Sequence, residues 1–153
     1  MTKTLRNLLM ATVIGTSSLL SSQAQERCMM PEYSVTLNGE KINYTTSLLG
    51  VASTSAFNRF RYEGQTLKVT KKDGVEFSIA TEVCSTENPF QSYRSDFKIA
   101  SMNIIKDGIT NHFTPTDTDW ANTSTRASET FNKYIKNLNQ DITSKREKAL
   151  KNL

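Results

Sequence analysis

Residues 66–84, TLKVTKKDGVEFSIATEVC, decide the fold, and they read as a β-hairpin. Leu67 and Val69 alternate with polar residues before the Lys-Asp-Gly turn, and Val75, Phe77, Ile79 and Val83 do so after it. Loop length sets the register. A two-residue Asp73-Gly74 loop puts Val69 opposite Ser78 and turns the two apolar rows to opposite faces. A three-residue loop, Lys72-Asp73-Gly74, pairs Val69 with Phe77 and Leu67 with Ile79, all on one face. The sequence therefore predicts a type I turn closed by a left-handed Gly74 and a bulge.

Upstream, residues 33–45, YSVTLNGEKINYT, carry Asn38-Gly39, the dipeptide preferred in a type I′ turn. A two-residue loop there pairs Val35 with Ile42 and Tyr33 with Tyr44, and Leu37 shares their face. Residues 47–58, SLLGVASTSAFN, are ambiguous. Leu48, Val51, Ala52 and Ala56 fit one helical face, while Gly50 and the Ser/Thr run weigh against a helix. A short helix or a connecting loop is expected. A short strand at 59–62 then turns at Glu63-Gly64, with Phe60 opposite Leu67. Its alternation of aromatics and arginines occurs in strands that bind single-stranded nucleic acid, but half-buried strands show the same pattern without a ligand.

Downstream, residues 85–95, STENPFQSYRS, read as a loop in which Phe90, Tyr93 and Arg94 are candidate partner contacts. Residues 96–114 form a further hairpin around a second Lys-Asp-Gly at 106–108. A two-residue loop sets Met102 opposite Phe113, whereas a three-residue loop pairs Ile105 with Ile109. Both faces carry apolar residues, so cover on both sides is expected. From Asp119 the chain has no Gly or Pro, and Ala127, Phe131, Tyr134, Ile135, Leu138, Ile142, Ala149 and Leu153 recur at helical spacing. The pairs Glu129/Lys133, Asp141/Lys145 and Glu147/Lys151 place the acid four residues before the base. This predicts a helix over 126–152, packed through Phe131 to Ile142, with residues 145–153 projecting. The class is α+β. An antiparallel meander of about six to seven strands at 25–118 packs against a C-terminal amphipathic basic helix at 119–153, with one disulfide.

The first 24 residues divide as an export signal does: Lys3 and Arg6, an apolar middle at 8–20, and Ser22-Gln23-Ala24 as a cleavage site. Thr12, Gly15, Thr16, Ser17 and Ser18 interrupt a run already short for a membrane span. Cleavage after Ala24 turns the formal charge of +4 into about +2, because the leader holds two of the 19 basic residues and none of the 15 acids. Near-neutral charge weakens any nucleic-acid reading. In an exported chain, Cys28 and Cys84 are expected to form a disulfide worth roughly 2–4 kcal/mol. Neither has the neighbours of a reactive thiol or a metal site.

A catalytic triad or dyad needs a base, and His112 is the single histidine, with no acid fixed beside it by sequence. Asp117-Thr118-Asp119 fails the calcium-loop pattern at Ala121, Asn122 and Ser128, which leaves helix capping as its expected role. No cofactor or metal is expected. The reading is an exported, non-enzymatic protein-binding factor, periplasmic or secreted, of the kind that assists envelope secretion or surface assembly or acts as an inhibitor or immunity protein. Lys145, Arg146, Lys148 and Leu150 of the tail join Phe90, Tyr93 and Arg94 as expected partner contacts, and neither nucleic acid nor a membrane span enters. The alternative is a small-molecule or lipid-binding cup under the helix, lined by Phe57, Phe60, Met102 and Phe113.

Overall fold

The computed structural model describes residues 32–56, 58–87 and 94–153. Six strands run in chain order: β1 (Glu32–Leu37), β2 (Glu40–Ser53), β3 (Arg59–Thr70), β4 (Glu76–Glu87), β5 (Arg94–Lys106) and β6 (Ile109–Phe113). Each pairs antiparallel with the next in one sheet, and helix α1 (Trp120–Leu150) follows.

Three turns sit at one end of the sheet. Asn38 and Gly39 both have positive φ (53° and 82°), as a type I′ turn requires, and Val35 pairs with Ile42 as expected. At the Lys72 to Gly74 turn, the Gly74 N–H donates to the Lys71 carbonyl (3.0 Å), and Lys71 N–H donates to Val75 O (2.8 Å). Gly74 has φ 85°, and Val69 pairs with Phe77, which is the three-residue bulged loop expected. The second Lys-Asp-Gly turns differently. Asp107 and Gly108 form a two-residue loop (φ 53° and 78°), Lys106 pairs with Ile109, and Met102 faces Phe113.

Three expectations are corrected. Residues 47–53 are neither helix nor loop but the second half of the 14-residue β2. Glu63-Gly64 is no turn, since β3 runs unbroken through it and Phe60 pairs with Ala52 and Thr86. Gly64 is needed for space: a Cβ there would lie 3.3 Å from Leu49 Cδ2, so the glycine lets that side chain lie across β3. The expected 85–95 loop is shorter, because β4 runs to Glu87 and β5 starts at Arg94.

The core lies between one face of the sheet and α1. Tyr44, Leu67, Val69, Ile79, Ala127, Phe131 and Leu138 have no exposed surface. Phe131 packs against Tyr44 and Phe97 (ring centroids 6.3 and 5.5 Å), and Tyr134 meets Phe77 edge-on at 5.7 Å. The helix begins six residues earlier than the apolar periodicity predicts. Asp119 holds the N-cap position without a side-chain capping bond, and its carboxylate instead accepts from the Thr123 hydroxyl (3.5 Å). Asp117 accepts the Thr114 amide at 2.6 Å and so fixes the turn that leads in from β6.

The opposite face of the sheet is mostly polar, and no described element packs on it. Among the described residues the last hairpin is covered on one side and not on the two expected: α1 covers Met102 and Ile104, while half-buried Ile105 faces away in a row with Thr70, Glu76 and Thr110. Cys84 also faces away from the helix, between Tyr62 and Asp96 on the neighbouring strands, and it is a free thiol. Its expected partner Cys28 lies outside the described residues. No helix among the described residues is long and apolar enough to cross a membrane.

Candidate functional site

The two ends of the sheet differ in cover. Near the turns, α1 seals the apolar face. Past the row of Gln65 and Thr81, β4 stays buried at Val83 and β5 stays packed on the core at Phe97, while the side chains of β2 and β3 change character. The Thr81 hydroxyl reaches Gln65 Oε1 (3.4 Å), and beyond this buried pair Glu63 takes the Arg61 guanidinium at 2.5 Å on the helix-side face. At this distal end Leu48, Leu49, Val51 and Tyr62 stand 55, 58, 47 and 41 % exposed. A bulge at Leu49 breaks the β2 alternation and divides them between two faces: Leu48 and Val51 stand opposite Glu63 and Arg61 on the helix side, while Leu49 lies over Gly64 on the open face. Tyr62 is two residues from Gly64 on the same face of β3, so Leu49 and Tyr62 are neighbours there. Scattered exposed apolar residues are ordinary, but neighbouring ones on one face point to an interaction surface.

Tyr62 lies beside Cys84, and both groups are raised, Tyr62 by its neighbour and Cys84 first by burial. The thiolate opposing the phenolate, together with the hydrogen bond between them, lifts the Tyr62 phenol. Partial burial lifts the Cys84 thiol, a rise the Tyr62 hydrogen bond opposes and Asp96 reinforces. Cys84 is therefore held as a thiol rather than activated as a nucleophile.

The tail residues separate into two groups. Lys145 is occupied within the molecule: its ammonium donates to Asp141 (2.7 Å) and to the Tyr33 hydroxyl (3.0 Å), and Tyr33 in turn donates to Asp141 at 2.5 Å. This cluster pins α1 to edge strand β1. The hydrogen bonds from Lys145 and Tyr33 hold the Asp141 carboxyl below its usual range, and the bond to Asp141 raises Lys145. One step inward, the Tyr134 hydroxyl donates to Glu40, and burial together with that carboxylate pushes the phenol well above its ordinary value. Arg146, Lys148 and Leu150 are exposed, on nine residues of helix that run about 14 Å past Asp141 at 1.5 Å per residue. Phe90 and Tyr93 lie outside the described residues, and Arg94 opens β5 opposite Thr86.

His112 ends a polar row that crosses all six strands on the open face: Ser34, Asn43, Lys68, Ser78, Asn103 and His112. Its Nδ1–H donates to Asn103 Oδ1 (2.5 Å), and Asn103 Nδ2 donates to Ser78 Oγ (3.3 Å). A tautomer fixed by an amide has no carboxylate to orient it, so this row is a hydrogen-bonded surface rather than an acid–base relay. Among the described residues, no three His, Cys, Asp or Glu side chains are placed to hold a metal ion. Three of the residues expected to line a ligand cup fall on two faces of the sheet. Phe60 is an odd number of residues from buried Leu67 and faces away from the helix, whereas Met102 packs on the core and Phe113 stands opposite it. Phe57 lies outside the described residues.

Sequence reasoning missed Leu48, Leu49, Val51 and Tyr62. The signal was present in Leu48-Leu49-Gly50-Val51, an apolar run beside a glycine, once it is read as a strand with a bulge. No protein-family model matches the chain, and no curated protein or solved structure matches it.

Proposed function

We propose that this protein is an exported, non-enzymatic factor that acts by binding another protein outside the cytoplasm, in the class of accessory, inhibitor or immunity proteins of a bacterial envelope. The observation that carries the reading is the pair of exposed side chains Leu49 and Tyr62 on the open face, at the distal ends of β2 and β3. Tyr62 is its natural anchor: a large, stiff side chain with a polar tip, of the type that dominates interface energetics. Arg146, Lys148 and Leu150 on the projecting helix supply a second contact.

A Cys28–Cys84 disulfide belongs to this proposal. Its formation passes two electrons and two protons to a thiol–disulfide oxidant of the compartment. Glu32 lies three strands across and four residues along from Cys84, through Thr45, Thr66 and Ala80. That is about 20 Å at the usual strand spacing and rise. Four residues reach at most about 14 Å, and disulfide-linked Cα atoms lie about 5–6 Å apart, so the span permits the bond.

The test is co-purification from the native envelope after mild cross-linking, with the intact protein, Tyr62→Ser, and a deletion of 146–153 that leaves the Lys145 clasp in place. A stoichiometric protein partner that both variants lose is the expected result. Recovery of the protein alone, or with only a small molecule, would contradict the proposal.

A further inference from the structure

The geometry points to the outer part of α1, residues 139–150, as a latch on strand β1 that stays closed while the Asp141 carboxylate is charged and opens in acid. Helix and sheet are joined in two different ways along α1. Up to Leu138 the joint is apolar, with Ala127, Phe131, Ile135 and Leu138 buried against the sheet. Past Leu138 no side chain of α1 is fully buried. Asn139, Asp141 and Ile142 are half-buried, Ile142 is the apolar side chain that still packs on the core, and residues 143–150 are exposed.

The clasp is what holds this outer part. Around Asp141 stand Tyr33 from β1 and Lys145 and Lys148 from α1. Tyr33 Oη donates to the carboxylate at 2.5 Å and Lys145 at 2.7 Å, and the Lys145 ammonium also lies 5.4 Å from the centre of the Tyr33 ring. All these contacts meet at one carboxylate. Protonating it leaves Lys145 without its counter-ion and replaces charge-assisted bonds by neutral ones, which are roughly half as strong.

Only Ile142 then ties twelve residues of helix to the sheet, and a helical stretch of that length without tertiary support is marginal in water. Further in, the Tyr134 hydroxyl donates to a second carboxylate, Glu40 of β2. Buried Ile135 and Leu138 flank Tyr134, so acid does not free the helix there. The bonds at Asp141 hold its carboxyl below the ordinary range, so the latch is complete above that range and is lost as pH falls through the lower folded value. Arg146, Lys148 and Leu150 ride on the released segment, and the latch aims them whether or not they meet the partner proposed above.

Backbone NMR of the exported protein from neutral to strongly acid pH tests it, read from the Cα shifts and heteronuclear NOEs of residues 141–150. At neutral pH the segment should be helical and as rigid as residues 127–138. In acid it should lose about half of its helical shift, with a midpoint below the ordinary value of 3.8, while residues 127–138 keep theirs. Asp141→Ala should be open already at neutral pH, although alanine is the best helix former and does not itself weaken the helix. A segment that stays helical and rigid in acid, one already open at neutral pH, or an Asp141→Ala protein that is closed there would overturn the inference. So would a change that coincides with unfolding of the whole domain. Should Asp141→Ala fail to fold, the titration of the unmodified protein decides.

Discussion

Strands β2 to β5 serve two regions of unlike character. On the turn side of Gln65 and Thr81, the helix-facing side chains are Ile42, Tyr44, Leu67, Val69, Phe77 and Ile79, all buried under α1. On the far side β4 and β5 still bury Val83 and Ser85 and pack Phe97 on Phe131, whereas β2 and β3 carry Glu63 and Arg61, and Leu48, Leu49, Val51 and Tyr62 meet solvent. The backbone ladder is continuous across the boundary. The difference teaches that hydrogen bonding extends the sheet, whereas the reach of the helix decides where it becomes a core. At 31 residues, α1 is about 46 Å long at 1.5 Å per residue. Its surplus length projects past the β1 edge instead of covering the distal ends of β2 and β3.

The largest expected effect comes from removing the side chain that joins the two layers. Phe131→Ala leaves a cavity between Tyr44 and Phe97 and should cost about 3–5 kcal/mol in urea unfolding. Leu49→Ala or Val51→Ala, in the distal region, should stay within about 0.5 kcal/mol. Similar losses at both places would erase the distinction. Next come the glycines. Gly39 holds a positive φ beside Lys72, so Gly39→Ala should cost about 1 kcal/mol or more, whereas a Cβ at Gly50 meets nothing within 4 Å and Gly50→Ala should be nearly silent.

Smaller again is the clasp of Tyr33, Asp141 and Lys145. The Asp141 carboxyl is lowered from 3.8 on folding, so its contribution is present above that value and is lost as pH falls through the lower folded one. Lys145 is raised from 10.5, so its share is complete below that value and is lost only as pH climbs through the higher folded one. Asp141→Asn should therefore lower the melting temperature slightly at pH 7, and the gap to the unmodified protein should close at acid pH. A constant gap across that range would show that the clasp works through packing instead of charge. Deleting residues 151–153, beyond the end of α1, should change nothing measurable in a thermal melt.

Much of the covered region was legible because its signals are local. Asn38-Gly39 specifies its turn, and the face-matching of Val69 with Phe77 chooses the three-residue loop at Gly74 over the two-residue one. The same Lys-Asp-Gly triplet at 106–108 left both loops open, since Ile104 and Ile105 offer an apolar face to either register; α1 settles it by covering Met102 and Ile104. The distal region was hidden for a physical reason. Gly64 looks like a turn residue in sequence, and its need for space appears only once Leu49 lies across it. The helix start was masked by Asn122, Thr123, Ser124 and Thr125, poor helix formers that the Asp117 turn and Thr123–Asp119 contact nonetheless hold in α1. Of the candidate partner contacts, Lys145 read as a free cation because nothing in the local sequence places Tyr33 beside it.

Residue-resolved amide hydrogen exchange tests the division most directly. The amides of Tyr44, Leu67 and Ile79 should exchange only through global unfolding. Those of residues 47–53 should exchange far faster, through local opening. Full protection of 47–53, matching that of Leu67, would contradict the account, because the distal ends of β2 and β3 would then belong to the core.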